Sequence, residues 1–164
     1  MRCFSFEKDT FSRNDTENKN GISGGCGVYY YNYTDVLKNI SEPFLIKPIT
    51  NQRAELYAIY LAIQNISPNF EVNSITIYSD STYCINTFTK WIDGWIKNSW
   101  KKSDNKPIKN KDIIKPLYYM MKKKYRNKIK FIYVKAHTRK TDILSIGNKK
   151  ADQLALSASL VNKK

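Results

Sequence analysis

The stretch that most constrains this chain is residues 74–82, Ser-Ile-Thr-Ile-Tyr-Ser-Asp-Ser-Thr. Its β-branched and aromatic residues predict a strand that ends at Asp80. Ser81 and Thr82 are residue types that can cap a following helix. Ligands of α/β proteins bind at the carboxyl ends of such strands, so Asp80 lies where chemistry would be performed.

The remaining pattern predicts one α/β domain over residues 1–164. Strands are predicted at residues 2–8, 24–33, 44–49, 74–79 and 129–134, and helices at residues 51–66, 81–88, 112–124 and 148–160. Thr50 is the predicted N-cap of the first helix, and residues 138–147 are predicted to form a loop. The order β-β-β-α-β-α-α-β-α predicts a mixed sheet flanked by helices.

The charge balance indicates the kind of partner. The chain has 28 Lys and Arg against 14 Asp and Glu, a formal net charge of +14. Such an excess favours a polyanion, with nucleic acid first and an anionic membrane second. Three cysteines without metal-ligand spacing and a single histidine argue against a disulfide framework and a zinc site. With no signal peptide and no long apolar run, an intracellular protein without a membrane partner is expected.

Four acids lie near predicted element ends: Asp9, Glu55, Asp80 and Asp152. Acids at the ends of neighbouring strands can converge on one point. A carboxylate cluster without Cys or His suits Mg²⁺ or Mn²⁺. Two such ions about 4 Å apart can activate water and stabilise a leaving oxygen in phosphodiester cleavage.

Five motifs occur in an order and spacing that resemble ribonuclease H of the type 1 class. They are Thr-Asn-Gln-Arg-Ala-Glu-Leu at residues 50–56, Ile-Tyr-Ser-Asp-Ser at 77–81, Trp-Ile-Asp-Gly-Trp at 91–95, Val-Lys-Ala-His at 134–137 and Gly-Asn-Lys-Lys-Ala-Asp at 147–152. The resemblance implies a five-stranded sheet whose first three strands are antiparallel. It also implies a monomeric nuclease that cuts the RNA strand of RNA–DNA hybrids with two Mg²⁺ or Mn²⁺ ions, leaving 5′-phosphate and 3′-hydroxyl ends. No separate hybrid-binding domain is expected.

By resemblance, Glu55, Asp80 and Asp152 are metal ligands, and His137 assists proton transfer or product release, for which its pKa near neutrality is suitable. The first acid departs from the family pattern Thr-Asp-Gly-Ser. Asp9 is preferred because residues 2–8 supply the strand that must precede a central ligand. Asp15 is the second choice and Glu7 another. If strand one lacks its acid, the alternative is a catalytically silent module that binds hybrid or RNA.

The resemblance also predicts a hybrid-binding surface. Asn20, Asn51 and Gln52 are predicted to contact the minor groove, and Thr50 and Asn110 to form a pocket for a phosphate of the DNA strand. Tyr83, Trp91 and Trp95 are predicted to line the DNA channel, and Lys97, Lys101 and Lys102 to form a basic protrusion. Trp95 can alternatively belong to the core, and the lysines can be a solvated face. A reverse-transcriptase domain that depends on a polymerase is a further alternative. The lysine-rich protrusion argues against it, because such a surface can hold substrate unaided.

Overall fold

The structure is a computed structural model. It describes residues 2–6, 24–31, 37–66, 72–125, 127–136 and 141–161, with only the backbone for residues 2–6 and 161. Several predicted site residues lie outside these ranges: Asp9, Asn20 and His137, together with the alternative first acids Glu7 and Asp15. All the other predicted site residues lie within them.

The described strands form one mixed sheet of five, in the order β3-β2-β1-β4-β5. The strands are β1 (Arg2–Phe6), β2 (Gly24–Tyr31), β3 (Ile40–Phe44), β4 (Ile75–Ser79) and β5 (Ile129–Tyr133). β2 is antiparallel to β1 and β3, whereas β4 is parallel to β1 and β5. The predicted mixed sheet, antiparallel over its first three strands, is therefore confirmed.

The described part of the chain contains five α-helices, which begin after β3. They are α1 (Asn51–Gln64), α2 (Thr82–Asn86), α3 (Ile92–Lys97), α4 (Lys111–Tyr125) and α5 (Ile143–Val161). Side chains alternate between the two faces of β4. Ile77 belongs to the larger buried cluster, which includes residues of α1 and α4. Its neighbour Tyr78 packs with Ala151 of α5 in a smaller cluster.

The predicted position of β3 is wrong. The strand occupies Ile40–Phe44 and not residues 44–49, and its register with β2 runs from Ile40 opposite Val28 to Phe44 opposite Gly24. Pro43 is compatible with this strand because β3 is an edge of the sheet. Leu45 and Ile46 lie within the predicted range, but they follow the strand and both side chains are exposed.

The predicted start of the last helix is also wrong. The sequence predicts a loop over residues 138–147, yet α5 begins at Ile143. The Asp142 carboxylate accepts hydrogen bonds from the backbone N–H groups of Leu144 and Ser145, at 3.1 and 3.0 Å. It therefore caps the helix start. As a result, Asp152 lies in the middle of α5 and not near its beginning.

The helix after β4 extends beyond its predicted end at residue 88. α2 continues through a π-helical turn, Thr87–Trp91, directly into α3. Phe88 in this turn stacks on Phe131 of β5, with ring centroids 5.2 Å apart. Trp91 and Trp95 are therefore carried on a helical arm.

Two glycines allow α5 to lie directly against β2. A Cβ atom added at Gly25 would lie 2.0 Å from the carbonyl oxygen of Ala155, and one at Gly27 would lie 2.1 Å from that of Ala151. Both obstacles are backbone atoms, which cannot rotate away. Ala151 immediately precedes Asp152, so the close packing at Gly27 also fixes the height of that acid above the sheet.

We therefore expect Gly27→Ala to lower the free energy of unfolding by about 3 kcal/mol or more, because the added methyl group must push α5 away from β2. Chemical denaturation monitored by circular dichroism measures this change. Gly94→Ala is the matched control, since no atom lies within 4 Å of its added Cβ. Alanine inside a helix should leave stability equal or raise it by up to about 1 kcal/mol. Equal stability of the two variants would contradict the packing argument.

Candidate active site

Asp80 follows β4 directly and is the centre of a group of acids. Burial raises the pKa of Asp80 to about 7, and the negative charges of Glu55 and Asp152 add to the increase. A backbone N–H and the side chain of Asn148 donate hydrogen bonds that partly oppose it. The fold thus brings together acids from α1, β4 and α5. Three of the four predicted metal ligands therefore lie close enough together for the charges of Glu55 and Asp152 to affect the pKa of Asp80.

Glu55 is oriented by residues at the start of α2. The hydroxyl of Ser81 donates a hydrogen bond to Glu55 Oε2. The same hydroxyl oxygen accepts the backbone N–H of Cys84 at 3.2 Å and so caps α2. The Cys84 thiol lies 3.8 Å from Glu55 Oε2. The helix cap predicted after Asp80 is confirmed at Ser81, and it also holds one of the acids.

Asp152 and Asn148 lie one turn apart on α5 and both face Asp80. Asn148 is 4% exposed. Within the described part of the chain, Asp152 Oδ1 and Asn148 Oδ1 are buried without a hydrogen-bond partner. Buried polar oxygens are normally satisfied. Unpartnered oxygens beside three mutually repelling carboxylates fit a hard divalent cation.

The ligand set is not complete within the described residues. Among them, no three His, Cys, Asp or Glu side chains form a ready-made metal-binding group. The predicted fourth ligand, Asp9, lies outside these ranges. The oxygen-only chemistry of the three acids suits a hard divalent cation.

Thr50 and Gln52 present unused oxygens at the start of α1. Thr50 occupies the predicted N-cap position, and its carbonyl oxygen accepts the N–H groups of Arg53 and Ala54. Its side chain makes no capping hydrogen bond. Thr50 Oγ1 and Gln52 Oε1 are buried and find no partner among the described residues. Asn51, between them, is exposed.

A second group of predicted residues lies along α2 and the arm that follows it. Asn110 donates a hydrogen bond to Tyr83 Oη at 3.1 Å. The Tyr83 ring lies 6.0 Å from that of Trp91, which lies 5.8 Å from that of Trp95. Trp91 is 38% exposed. Trp95 is half-buried and packs on the core, as its alternative assignment anticipated.

Arg53 is a site residue that sequence reasoning missed. Its guanidinium binds both carboxylate oxygens of Asp112, at 2.8 and 2.6 Å. Arg53 is 4% exposed. This pair joins the start of α1, which carries Thr50, to the start of α4, which follows Asn110. The signal was present in the motif itself, because Arg53 stands between Gln52 and Glu55.

The predicted lysines of the protrusion are free for an external partner. Lys97 ends α3, and Lys101 and Lys102 follow in the loop toward α4; all three are exposed. In the described residues, none of the three is paired with an acid, and the ion pairs found are Arg53–Asp112 and Lys106–Asp104. No described helix is long and apolar enough to cross a membrane.

This mixed sheet, with its central acids and flanking helices, is an RNase H-like fold. The family model described as RNase H matches residues 14–159. A probable ribonuclease H of Acanthamoeba polyphaga mimivirus is 44% identical over 142 residues, 85% of this chain and 59% of that protein. A ribonuclease H of Schizosaccharomyces pombe is 42% identical over 137 residues, 84% of this chain and 46% of that protein. The chain belongs to the RNase H family.

The chain spans about half the length of these two relatives. Solved structures share its fold at lower identity. The PFV RNase H domain has a TM-score of 0.72 and 22% identity, over 98% of this chain and 94% of that one. LC11-RNase H1 in complex with RNA/DNA hybrid has a TM-score of 0.63 and 15% identity, over 98% of this chain and 96% of that one.

The acid cluster gives a testable pH dependence of stability. The pKa of Asp80 is about 7 in the folded chain and about 4 when unfolded. Between these values the folded state holds the extra proton, so the Asp80 contribution makes stability fall as pH rises. In EDTA, Asp80→Asn should therefore match the parent near pH 4. At pH 8 its melting temperature should be higher by about 2–4 °C, corresponding to about 1 kcal/mol.

Asp142→Asn is the control of opposite sign. Hydrogen bonds from Ser145 and Leu144 lower the pKa of Asp142, so its ionisation stabilises the fold above the unfolded pKa. This variant should be less stable than the parent at pH 8. A destabilised Asp80→Asn at pH 8 would show that the three acids do not repel one another in the folded protein.

Proposed function

We propose that the chain is an endonuclease that hydrolyses the RNA strand of RNA–DNA hybrids, leaving 5′-phosphate and 3′-hydroxyl ends. The observation that carries the proposal is the convergence of Glu55, Asp80 and Asp152 at the end of β4, where burial and, after it, the charges of the other two acids raise the pKa of Asp80 to about 7. Membership of the RNase H family and the two ribonuclease H relatives support the same activity.

Two Mg²⁺ or Mn²⁺ ions are proposed for the site, held by Glu55, Asp80, Asp152 and Asp9. When bound, such ions supply an activated water and charge stabilisation for the leaving oxygen. Ser81 orients Glu55 through its hydroxyl, and Asn148 holds Asp80 by a hydrogen bond. His137 is proposed to move a proton at the departing product, since an imidazole exchanges protons near neutral pH.

The hybrid is proposed to lie across the starts of α1 and α4. Gln52 Oε1 is an unused acceptor for a ribose 2′-hydroxyl, the group that distinguishes RNA from DNA. Asn20 and Asn51 are proposed to contact the same minor groove. Thr50 Oγ1 and the Asn110 amide would bind a phosphate of the DNA strand. The Arg53–Asp112 pair supports this pocket by holding α1 and α4 together.

Tyr83, Trp91 and Trp95 are proposed to line the DNA channel, with the exposed Trp91 making direct contact. The exposed lysines Lys97 and Lys101 and their neighbour Lys102 would bind phosphates beyond it. The intracellular location and the monomeric state stay predictions from sequence.

The first acid decides between an active enzyme and a silent hybrid binder. Phe4 of β1 is in register with Tyr78 of β4. If the same register continues for two residues, Phe6 lies opposite Asp80. Glu7 and Asp9 are the first acids after that point in the sequence. The family match begins at residue 14, which includes Asp15 and leaves out Asp9. Asp9 is retained as the proposed ligand, with the other two as alternatives.

Purified protein should cleave the RNA strand of a labelled hybrid with Mg²⁺ or Mn²⁺, and excess EDTA should abolish cleavage. Asp80→Asn should lower the rate by about a thousandfold or more while keeping hybrid affinity, because it removes a metal ligand and leaves the basic surface intact. Asp9→Asn should be equally damaging, whereas Asp15→Asn and Glu7→Gln should be mild.

Gel analysis of cleavage products and metal titrations measure these effects. A dead Asp15→Asn beside an active Asp9→Asn would move the first ligand to Asp15. A parent that binds hybrid but does not cleave it would establish the silent binder, whereas harmless changes at all three positions in an active parent would mean that another group supplies the first ligand. Equal cleavage of single-stranded RNA would contradict hybrid specificity.

The lysine protrusion gives an independent prediction. Changing Lys97, Lys101 and Lys102 together to Ala should weaken hybrid binding and reduce the slope of log affinity against log salt, because three phosphate contacts are lost. The turnover rate at saturating hybrid should change little. Binding isotherms at several salt concentrations measure the slope.

The charge-matched control changes Lys38, Lys130 and Lys149, which are also exposed. It alters the net charge equally but should retain most of the parental salt slope. If both triple variants behave alike, the protrusion acts only through net charge.

A further inference from the structure

One face of α4 has no role in the proposed function. Residues spaced three and four apart along a helix lie on the same side. In α4 this side carries Lys111, Lys115, Tyr119, Lys122 and Lys123, here termed the α4 face. Tyr119 is 51% exposed. An exposed aromatic ring among four lysines combines a stacking surface with positive charge.

The negative charge of this helix is already neutralised. Asp112 is the only acid in the α4 sequence. Both of its carboxylate oxygens are bound by the Arg53 guanidinium. No described ion pair involves the lysines of the α4 face. The face therefore carries a net positive charge, which complements a polyanion.

The Tyr119 ring is supported from behind. Its centroid lies 6.0 Å from that of Trp100 and 5.5 Å from that of Tyr118. Lys115 Nζ lies 5.6 Å from the Trp100 ring, and Lys122 Nζ lies 5.7 Å from the Tyr118 ring. The two ammonium groups are thus held against Trp100 and Tyr118, the two rings that contact Tyr119. Lysine side chains that are already held in place lose less conformational entropy when they bind a ligand.

An open groove of about 540 Å³ runs beside this ring. It is lined by Lys111, Asp112, Lys115, Pro116 and Tyr119. Pro116 and Tyr119 give it a flat apolar surface, and the lysines flank that surface. A nucleobase on a sugar–phosphate chain has this combination of an apolar face and a charged edge.

We propose that the α4 face binds a single-stranded nucleic-acid segment, with a base stacked on Tyr119 and phosphates paired with the neighbouring lysines. α4 starts one residue after Asn110 and runs for about 20 Å. The face can thus receive a strand that continues from the phosphate pocket into an unpaired flank. Only this continuity rests on the proposed function; the face itself can be tested with a free strand.

The test compares a labelled oligothymidylate with an abasic strand of equal length, by fluorescence anisotropy in EDTA. Tyr119→Ala should weaken oligothymidylate binding about fivefold or more, because base–aromatic stacking contributes about 1 kcal/mol or more. It should leave abasic-strand binding unchanged. Tyr119→Phe should retain parental affinity. Tyr133→Ala, which removes a tyrosine of equal 51% exposure from β5, should also bind as the parent does.

Two further measurements test whether the strand is the unpaired flank of a hybrid and whether the lysines contact its phosphates. A hybrid with an unpaired DNA flank should bind more tightly than a blunt hybrid, and Tyr119→Ala should abolish that difference. Lys115→Gln with Lys122→Gln should reduce the salt slope for both single strands. Melting curves confirm that each variant is folded.

Parental binding of oligothymidylate by folded Tyr119→Ala would overturn the proposal. So would an equal loss on the abasic strand or on the blunt hybrid, since each would mean that no base stacks on Tyr119. Failure of the parent to cleave hybrid, together with Tyr119-dependent binding of oligothymidylate, would contradict the proposed nuclease and leave this site standing.

Discussion

The close approach of α5 to β2 is the constraint on which the site depends. Gly25 and Gly27 let the strand backbone meet the carbonyl groups of Ala155 and Ala151 without intervening side chains. α5 consequently lies low over the sheet. Asp152 follows Ala151, so the same contact that packs the helix also delivers a carboxylate toward Asp80.

Bringing these acids together has an energetic cost that the rest of the fold offsets. Burial and two neighbouring negative charges raise the pKa of Asp80. The hydroxyl of Ser81 and the amide of Asn148 hold the acids in place by hydrogen bonds. Such local destabilisation is common at sites where charged groups are arranged for chemistry. In this chain, the hydrophobic core around α1, α4 and β4 provides the stability that maintains the arrangement.

The proposed nucleic-acid surface is organised by a different interaction, the ion pair between the buried Arg53 and the exposed Asp112. It joins the helix starts that present Thr50 and Asn110. The acid that pairs with Arg53 is also the one that would otherwise repel phosphates from α4. One ion pair therefore shapes the proposed phosphate pocket and leaves the α4 face with a net positive charge. The proposed catalytic acids and this surface are positioned independently, by packing in one case and by ion pairing in the other.

From the sequence alone one can predict the class of fold, the mixed sheet, the position of Asp80 at the end of its strand and a donor set made only of oxygens. These properties follow from local patterns, namely β-branched runs, helical periodicity and the identity of the charged residues. The position of β3 and the start of α5 were not predicted, because strand pairing with β2 and the Asp142 cap outweighed the local apolar pattern. Only the tertiary structure showed that Asn148 and Ser81 hold the acids and that Arg53 binds Asp112. These contacts join residues far apart in the chain, and their distances depend on how helices pack against the sheet.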